Sequence, residues 1–111
     1  MDKDQRGLRF NFSAEAEVRV GDSATSFPGR VTELSFRGCF LEISGSFSEH
    51  QRLRVKIFHS SEYFETLADV IYVRPSGVGV LFAETNPHFR SILQKWILNA
   101  LDHQTDEVPA Q

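Results

Sequence analysis

The feature that most constrains this chain is a change of hydrophobic period along its length. Ala14, Ala16, Val18 and Val20 alternate with Glu15, Glu17 and Arg19, and Leu53, Val55 and Ile57 alternate with Arg52, Arg54 and Lys56. A period of two is the signature of a strand with one buried face. Near the C-terminus the spacing switches to three and four: Phe89, Ile92, Leu93, Trp96, Ile97, Ala100 and Leu101. Those positions line one side of a helix. Asn86 or Thr85 can cap it, and Pro87 suits its first turn.

The segments between fill in the same pattern. Gly21-Asp22-Ser23 is a turn, and a strand is expected from Phe27 to Leu34 despite Pro28 and Gly29 near its start. Ser35-Phe36-Arg37-Gly38 interrupts it; Gly38 supplies either a positive φ or a close backbone approach. Cys39 to Ile43 reads as a third strand, with Cys39, Leu41 and Ile43 on one face. Tyr63 to Val73 is long enough to need a bend, Arg74-Pro75-Ser76-Gly77 is a turn, and Val78 to Phe82 leads back in. Residues 1–12 read as a flexible basic arm, because their charges and Gly7 suit an extended segment. Residues 13–101 make the strands and helix, and residues 102–111, where the apolar stripe is lost, a frayed tail. Antiparallel strands need closed or covered edges, so the expected fold is an all-β, six-stranded antiparallel barrel followed by an amphipathic C-terminal helix. A small sandwich with an appended helix is the rival.

Composition removes several function classes. A chain of 111 residues is one domain. No stretch approaches the roughly 20 apolar residues of a membrane helix, so no membrane insertion is expected. The polar N-terminus is unlike a secretory signal, and a single cysteine gives no disulfide framework; both point to the cytoplasm. Twelve Lys and Arg against 15 Asp and Glu, a net charge of -3, argue against a DNA or RNA binder. Cys39 stands alone, and His50, His59, His88 and His103 lack ligand spacing, so no metal site is expected. No serine sits in a nucleophile elbow and no catalytic pair assembles, which points away from an enzyme. Gly77-Val78-Gly79-Val80 lacks the third glycine, the lysine and the following helix of a phosphate loop. Ten phenylalanines imply a core rich in aromatics.

The arginines carry more information than the total charge. Arg6 and Arg9 lie in the arm and Arg37 in the Ser35–Gly38 turn. A guanidinium pairs bidentately with phosphate and stacks on bases, so an arm folding against the barrel could clasp a phosphorylated ligand. Solvated surface charge is the alternative. Ser35 adds a hydroxyl and Glu33 an acceptor.

In order and spacing, these residues resemble the PilZ domain family. That family carries an RxxxR motif in an N-terminal arm, a [D/N]xSxxG motif after the second strand and a late GxGxxF strand. Here Arg6 and Arg9 fall in the arm, Glu33-Leu34-Ser35-Phe36-Arg37-Gly38 at the second motif, and Gly77-Val78-Gly79-Val80-Leu81-Phe82 at the third. Two positions depart from the pattern. With Arg9 as the second arginine, the first position is Gln5, while Arg6 matches an extra arginine often adjacent to it; Glu33 replaces Asp or Asn.

The resemblance implies a six-stranded barrel with a terminal helix and cyclic di-GMP as ligand, with no cofactor. It implies Gln5, Arg6, Arg9, Glu33, Ser35, Arg37 and Gly38 as the binding residues. The arm arginines would take phosphates and guanine faces, Glu33 a guanine edge and Ser35 a phosphate, while Gly38 would admit close backbone approach. A protein partner would read the bound state, and a homodimer is left open. Motility, adhesion and polymer secretion are processes regulated through the family. Lost charge-assisted bonds are worth about 1.5–3 kcal/mol each, so Gln5 and Glu33 imply weakening by about one to three orders of magnitude. The alternative is a degenerate adaptor that binds no nucleotide and acts by protein contact, as in type IV pilus assembly or motility. Phe58, solvent-facing by parity, and the unplaced Phe10, Phe12, Phe36, Phe40 and Phe47 would then supply a docking patch, with core or helix-packing roles expected for several of them.

Overall fold

The computed structural model describes residues 9–107, with side chains as far as Leu101. Its strands are β1 (Phe10–Val20), β2 (Ser26–Leu34), β3 (Gly38–Ile43), β4 (Arg52–His59), β5 (Glu62–Arg74) and β6 (Gly77–Phe82), followed by helix α1 (Pro87–Glu107). All neighbouring strands are antiparallel, in the order β1-β2-β3-β6-β5-β4, and β4 pairs back with β1. The sheet is therefore a closed barrel and not a sandwich. No helix among the described residues is long and apolar enough to cross a membrane.

Alternation drives the closure. Val18, Val31, Leu41, Val55, Ile57, Phe64 and Val70 point inward and have no exposed surface. Burying each such side chain is worth about 1.5–3 kcal/mol. The inward parity of β1 starts earlier than expected: Phe10 and Phe12 are buried and in step with Ala14, Ala16 and Val18. The strand therefore replaces the last part of the expected arm. The charges and Gly7 before Phe10 hide a periodicity that the two phenylalanines carry. Phe47 is also spent internally, packed edge-on against Phe27 at 5.9 Å. Of the expected docking phenylalanines, Phe36 and Phe58 are exposed and Phe40 is half-buried.

Asn86 caps α1: its Oδ1 accepts the His88 N–H at 2.7 Å and its carbonyl the Arg90 N–H at 2.9 Å. The helix buries Leu93, Trp96 and Ile97 against β5 and β1. Trp96 stacks with Phe12 at 5.7 Å and meets His59 edge-on at 5.3 Å. Two polar contacts fix the helix's position. Glu62 accepts hydrogen bonds from Lys95 Nζ at 2.6 Å and Trp96 Nε1 at 3.4 Å. Thr66, polar but buried, donates to the Glu84 carbonyl at 2.9 Å and bonds Thr85 Oγ1 at 3.0 Å. The helix continues to Glu107, past the expected fraying point at Asp102. Extending a formed helix costs little, and the sequence from His88 to Glu107 holds no glycine or proline.

Two tests follow from these local features. The β4–β5 turn is Ser60-Ser61, both at positive φ (52° and 65°) between the paired His59 and Glu62. This is a type I′ geometry that normally takes Asn-Gly. Ser61→Gly should stabilise the protein by about 0.5–1 kcal/mol, after the entropy cost of glycine. Thermal unfolding should show the midpoint rising by roughly 2–6 °C. The Lys95 hydrogen bond, helped by that from Trp96, holds the Glu62 carboxyl below its ordinary pKa. Its stabilising contribution is therefore complete above the ordinary carboxylate pKa and is lost as pH falls through the lowered value. Melting curves between about pH 6 and about pH 3 should fall less steeply for Glu62→Gln than for the parent.

Candidate functional site

Two breaks in strand register turn key side chains onto one outer face. In β2, Val31 pairs with Leu41 and Glu33 with Phe40, so Thr32 is an extra residue. Val31 and Leu34 both face inward, and Glu33 is turned out. In β5, Phe64, Thr66, Ala68 and Val70 face inward, but Ile71 is extra and Tyr72 pairs with Gly79. Bulges commonly re-aim side chains in this way. Cross-strand pairing then lines up Asn11, Glu33, Phe40, Gly79 and Tyr72 over five strands.

Gly79 is the gap in that row. A Cβ there would meet the Tyr72 ring at 2.3 Å. Without it, the Tyr72 ring lies over the strand and stacks with Phe40, centroids 6.2 Å apart and planes 20° apart. The Arg74 guanidinium sits 4.5 Å from the Tyr72 ring centre. These rings form an aromatic floor with a cation beside it.

The turn before β3 makes one wall. Ser35 Oγ accepts the N–H groups of Arg37 and Gly38, each at 3.2 Å, and donates to the Gly38 carbonyl at 3.3 Å. Its one donor and both acceptor sites are thus committed to the turn. Gly38 serves close approach rather than a positive φ: a Cβ there would lie 2.0 Å from the Val80 carbonyl oxygen. The turn leaves Phe36 52% exposed.

Arg9, Glu33, Ser35, Arg37, Gly38, Phe40, Ile71, Tyr72, Gly79 and Leu81 border one open cleft of about 220 Å³. Across its edge, Arg9 Nη1 contacts Glu33 Oε1 at 3.1 Å. Cys39 also borders it, but burial pushes its thiol pKa up to about 12. Neutral at physiological pH, that thiol is a packing group and not a nucleophile. No cluster of metal-ligating side chains occurs among the described residues.

Five of the seven residues expected from sequence therefore meet at one cleft: Arg9, Glu33, Ser35, Arg37 and Gly38. Gln5 and Arg6 lie outside the described residues. Sequence reading did not place Tyr72 or Ile71 at the cleft, and it named Phe40 only for a docking patch. The available signal was the length of the fifth strand, which needed a bend; that Gly79 faces Tyr72 emerges only from the strand pairing.

A family model for the PilZ domain matches residues 3–99. In three dimensions the chain is similar to the PilZ domain of CeSA from a cellulose-synthesizing bacterium, with TM-score 0.70 and 15% identity over 84% of this chain and 97% of that one. It is similar to the PilZ domain of YcgR from Escherichia coli with c-di-GMP, with TM-score 0.73 and 13% identity over 92% and 95% of the two chains. The Bacillus subtilis inhibitor of motility (MotI/DgrA) is also similar, with TM-score 0.69 and 14% identity, over 89% of this chain but 50% of that one. At such identities the likeness is one of fold. Among curated proteins no significant sequence match was found.

Proposed function

The chain belongs to the PilZ domain family, and from that membership we propose that it is a non-enzymatic, cytoplasmic receptor for cyclic di-GMP. The observation that carries the reading is the convergence of arginine, turn backbone and stacked rings on one cleft. A cyclic dinucleotide offers two phosphodiesters and two purines, so it needs cationic forks and flat surfaces together. Arg9 and Arg37 supply the forks, and Tyr72 with Phe40 a face for one guanine. Ser35 shapes the turn, so a phosphate at this wall would meet Arg37 or backbone unless the hydroxyl releases its bonds. The cleft is smaller than the roughly 300–1,000 Å³ that encloses a ligand. The nucleotide would lie across it, with Gln5 and Arg6 proposed as further ligand contacts. The bound state would then be read by a protein partner, and the motility inhibitor among the similar structures makes motility one candidate output.

A second reading, the nucleotide-free adaptor, draws on the exposure of Phe36 beside the cleft. One titration separates the two. Calorimetry with cyclic di-GMP should give saturable heat in the micromolar range, and silence up to roughly 300 µM would leave only the adaptor. Arg9→Ala should weaken binding by about 10- to 100-fold through a lost charge-assisted contact. Tyr72→Leu should cost about 10- to 100-fold through lost stacking, while Tyr72→Phe should stay near the parent. Arg52→Ala, in a pair with Asp69 outside the cleft, should leave affinity unchanged.

A further inference from the structure

We infer that Glu33 is an internal competitor that occupies Arg9 until ligand displaces it, and so sets the affinity of the site. The inference rests on the cyclic di-GMP reading and gives Glu33 a role opposite to that of a ligand contact. The pairing register explains the contact. Glu33 lies opposite Asn11, and Arg9 precedes Asn11 by two residues, so both side chains emerge on the outer face of the β1–β2 pair. Arg9 Nη1 and Glu33 Oε1 meet at 3.1 Å across the cleft edge, with side chains 55% and 44% exposed. The reach depends on the longer acid. An aspartate carboxylate would stop one carbon–carbon bond, about 1.5 Å, short of this position. The Glu at a position where the family pattern has Asp or Asn is therefore what makes the pair.

Two consequences follow for an anionic ligand. A phosphate can take Arg9 only by breaking its pair with Glu33. The freed carboxylate then stands in the same cleft as the incoming negative charge. Both effects weaken binding, and both vanish when position 33 is neutral. An exposed ion pair is a modest opponent, so Glu33→Gln should tighten binding by about 2- to 10-fold. Salt gives an independent signature. In the parent, salt screens both the contact broken and the contact made, and the two effects partly cancel. In Glu33→Gln only the contact made remains, so its affinity should fall more steeply with ionic strength.

The test is calorimetric titration of cyclic di-GMP into the full chain and its Glu33→Gln, Glu33→Ala, Arg9→Ala and Arg9→Ala/Glu33→Gln variants, at low and at physiological salt. Competition predicts tighter binding by both Glu33 variants and a steeper salt dependence for Glu33→Gln. It also predicts that the gain is smaller, though still present through relief of carboxylate–phosphate repulsion, when Arg9 is already alanine. Binding by Glu33→Gln where the parent is silent also supports it. Weaker binding by both Glu33 variants overturns it and makes Glu33 a ligand contact, leaving the receptor reading intact. Silence from the parent and every variant removes the receptor reading and the competition together.

Discussion

Two extra residues, Thr32 in β2 and Ile71 in β5, decide where the chemistry of this barrel sits. In a strictly alternating barrel, Glu33 would follow Val31 into the core and Tyr72 would follow Val70. A charged carboxylate there would have no partner, and a phenol would compete with the packed aliphatic layer. One added residue per strand moves both to the outer face; in β2 the inward set resumes at Leu34, whereas in β5 Ile71 and Val73 beyond the break are exposed. The register breaks let a closed barrel with an apolar core carry the candidate site on its outer face.

That surface is held by backbone contacts more than by side-chain bulk. Gly38 lets β3 approach the Val80 carbonyl, and the Arg37 carbonyl accepts the Phe82 N–H at 2.7 Å. Ser35 closes the turn on itself through three hydrogen bonds. The wall is therefore held in one conformation by its own hydrogen bonds, and such preorganisation lowers the ordering cost of any contact made to it. The Arg9–Glu33 edge is different in kind. It is an exposed ion pair between long side chains and can be exchanged for a ligand contact at small cost.

The legible and illegible parts of the molecule divide along the same line. Alternation in β1 and β4, the three-four stripe of α1 and the cap at Asn86 were readable, because each is local and repeats a fixed period. Ser35, Gly38 and Arg37 were readable as a turn that interrupts the strands. Phe10 and Phe12 were lost to the flexible-arm reading because charge and glycine masked a parity shared with Ala14. Tyr72 and Phe40 were lost because their meeting depends on pairing β5 with β6 and β6 with β3, partners distant in sequence, and on a bulge that no short window reveals. The end of α1 was missed because the stripe stops before the helix does. Loss of an apolar face removes packing, but it does not remove helical backbone.

The same turn also borders a second cleft of about 320 Å³, lined by Phe36, Arg37, Leu81, Phe82, Arg90 and Leu93 among others. Arg37 and Leu81 line both clefts. The backbone between them is pinned, by Ser35 N–H on the Gly38 carbonyl at 2.9 Å and by the Phe82 contact. Bending it would break a ladder that continues around six strands. Rotating the Arg37 side chain breaks none of those bonds.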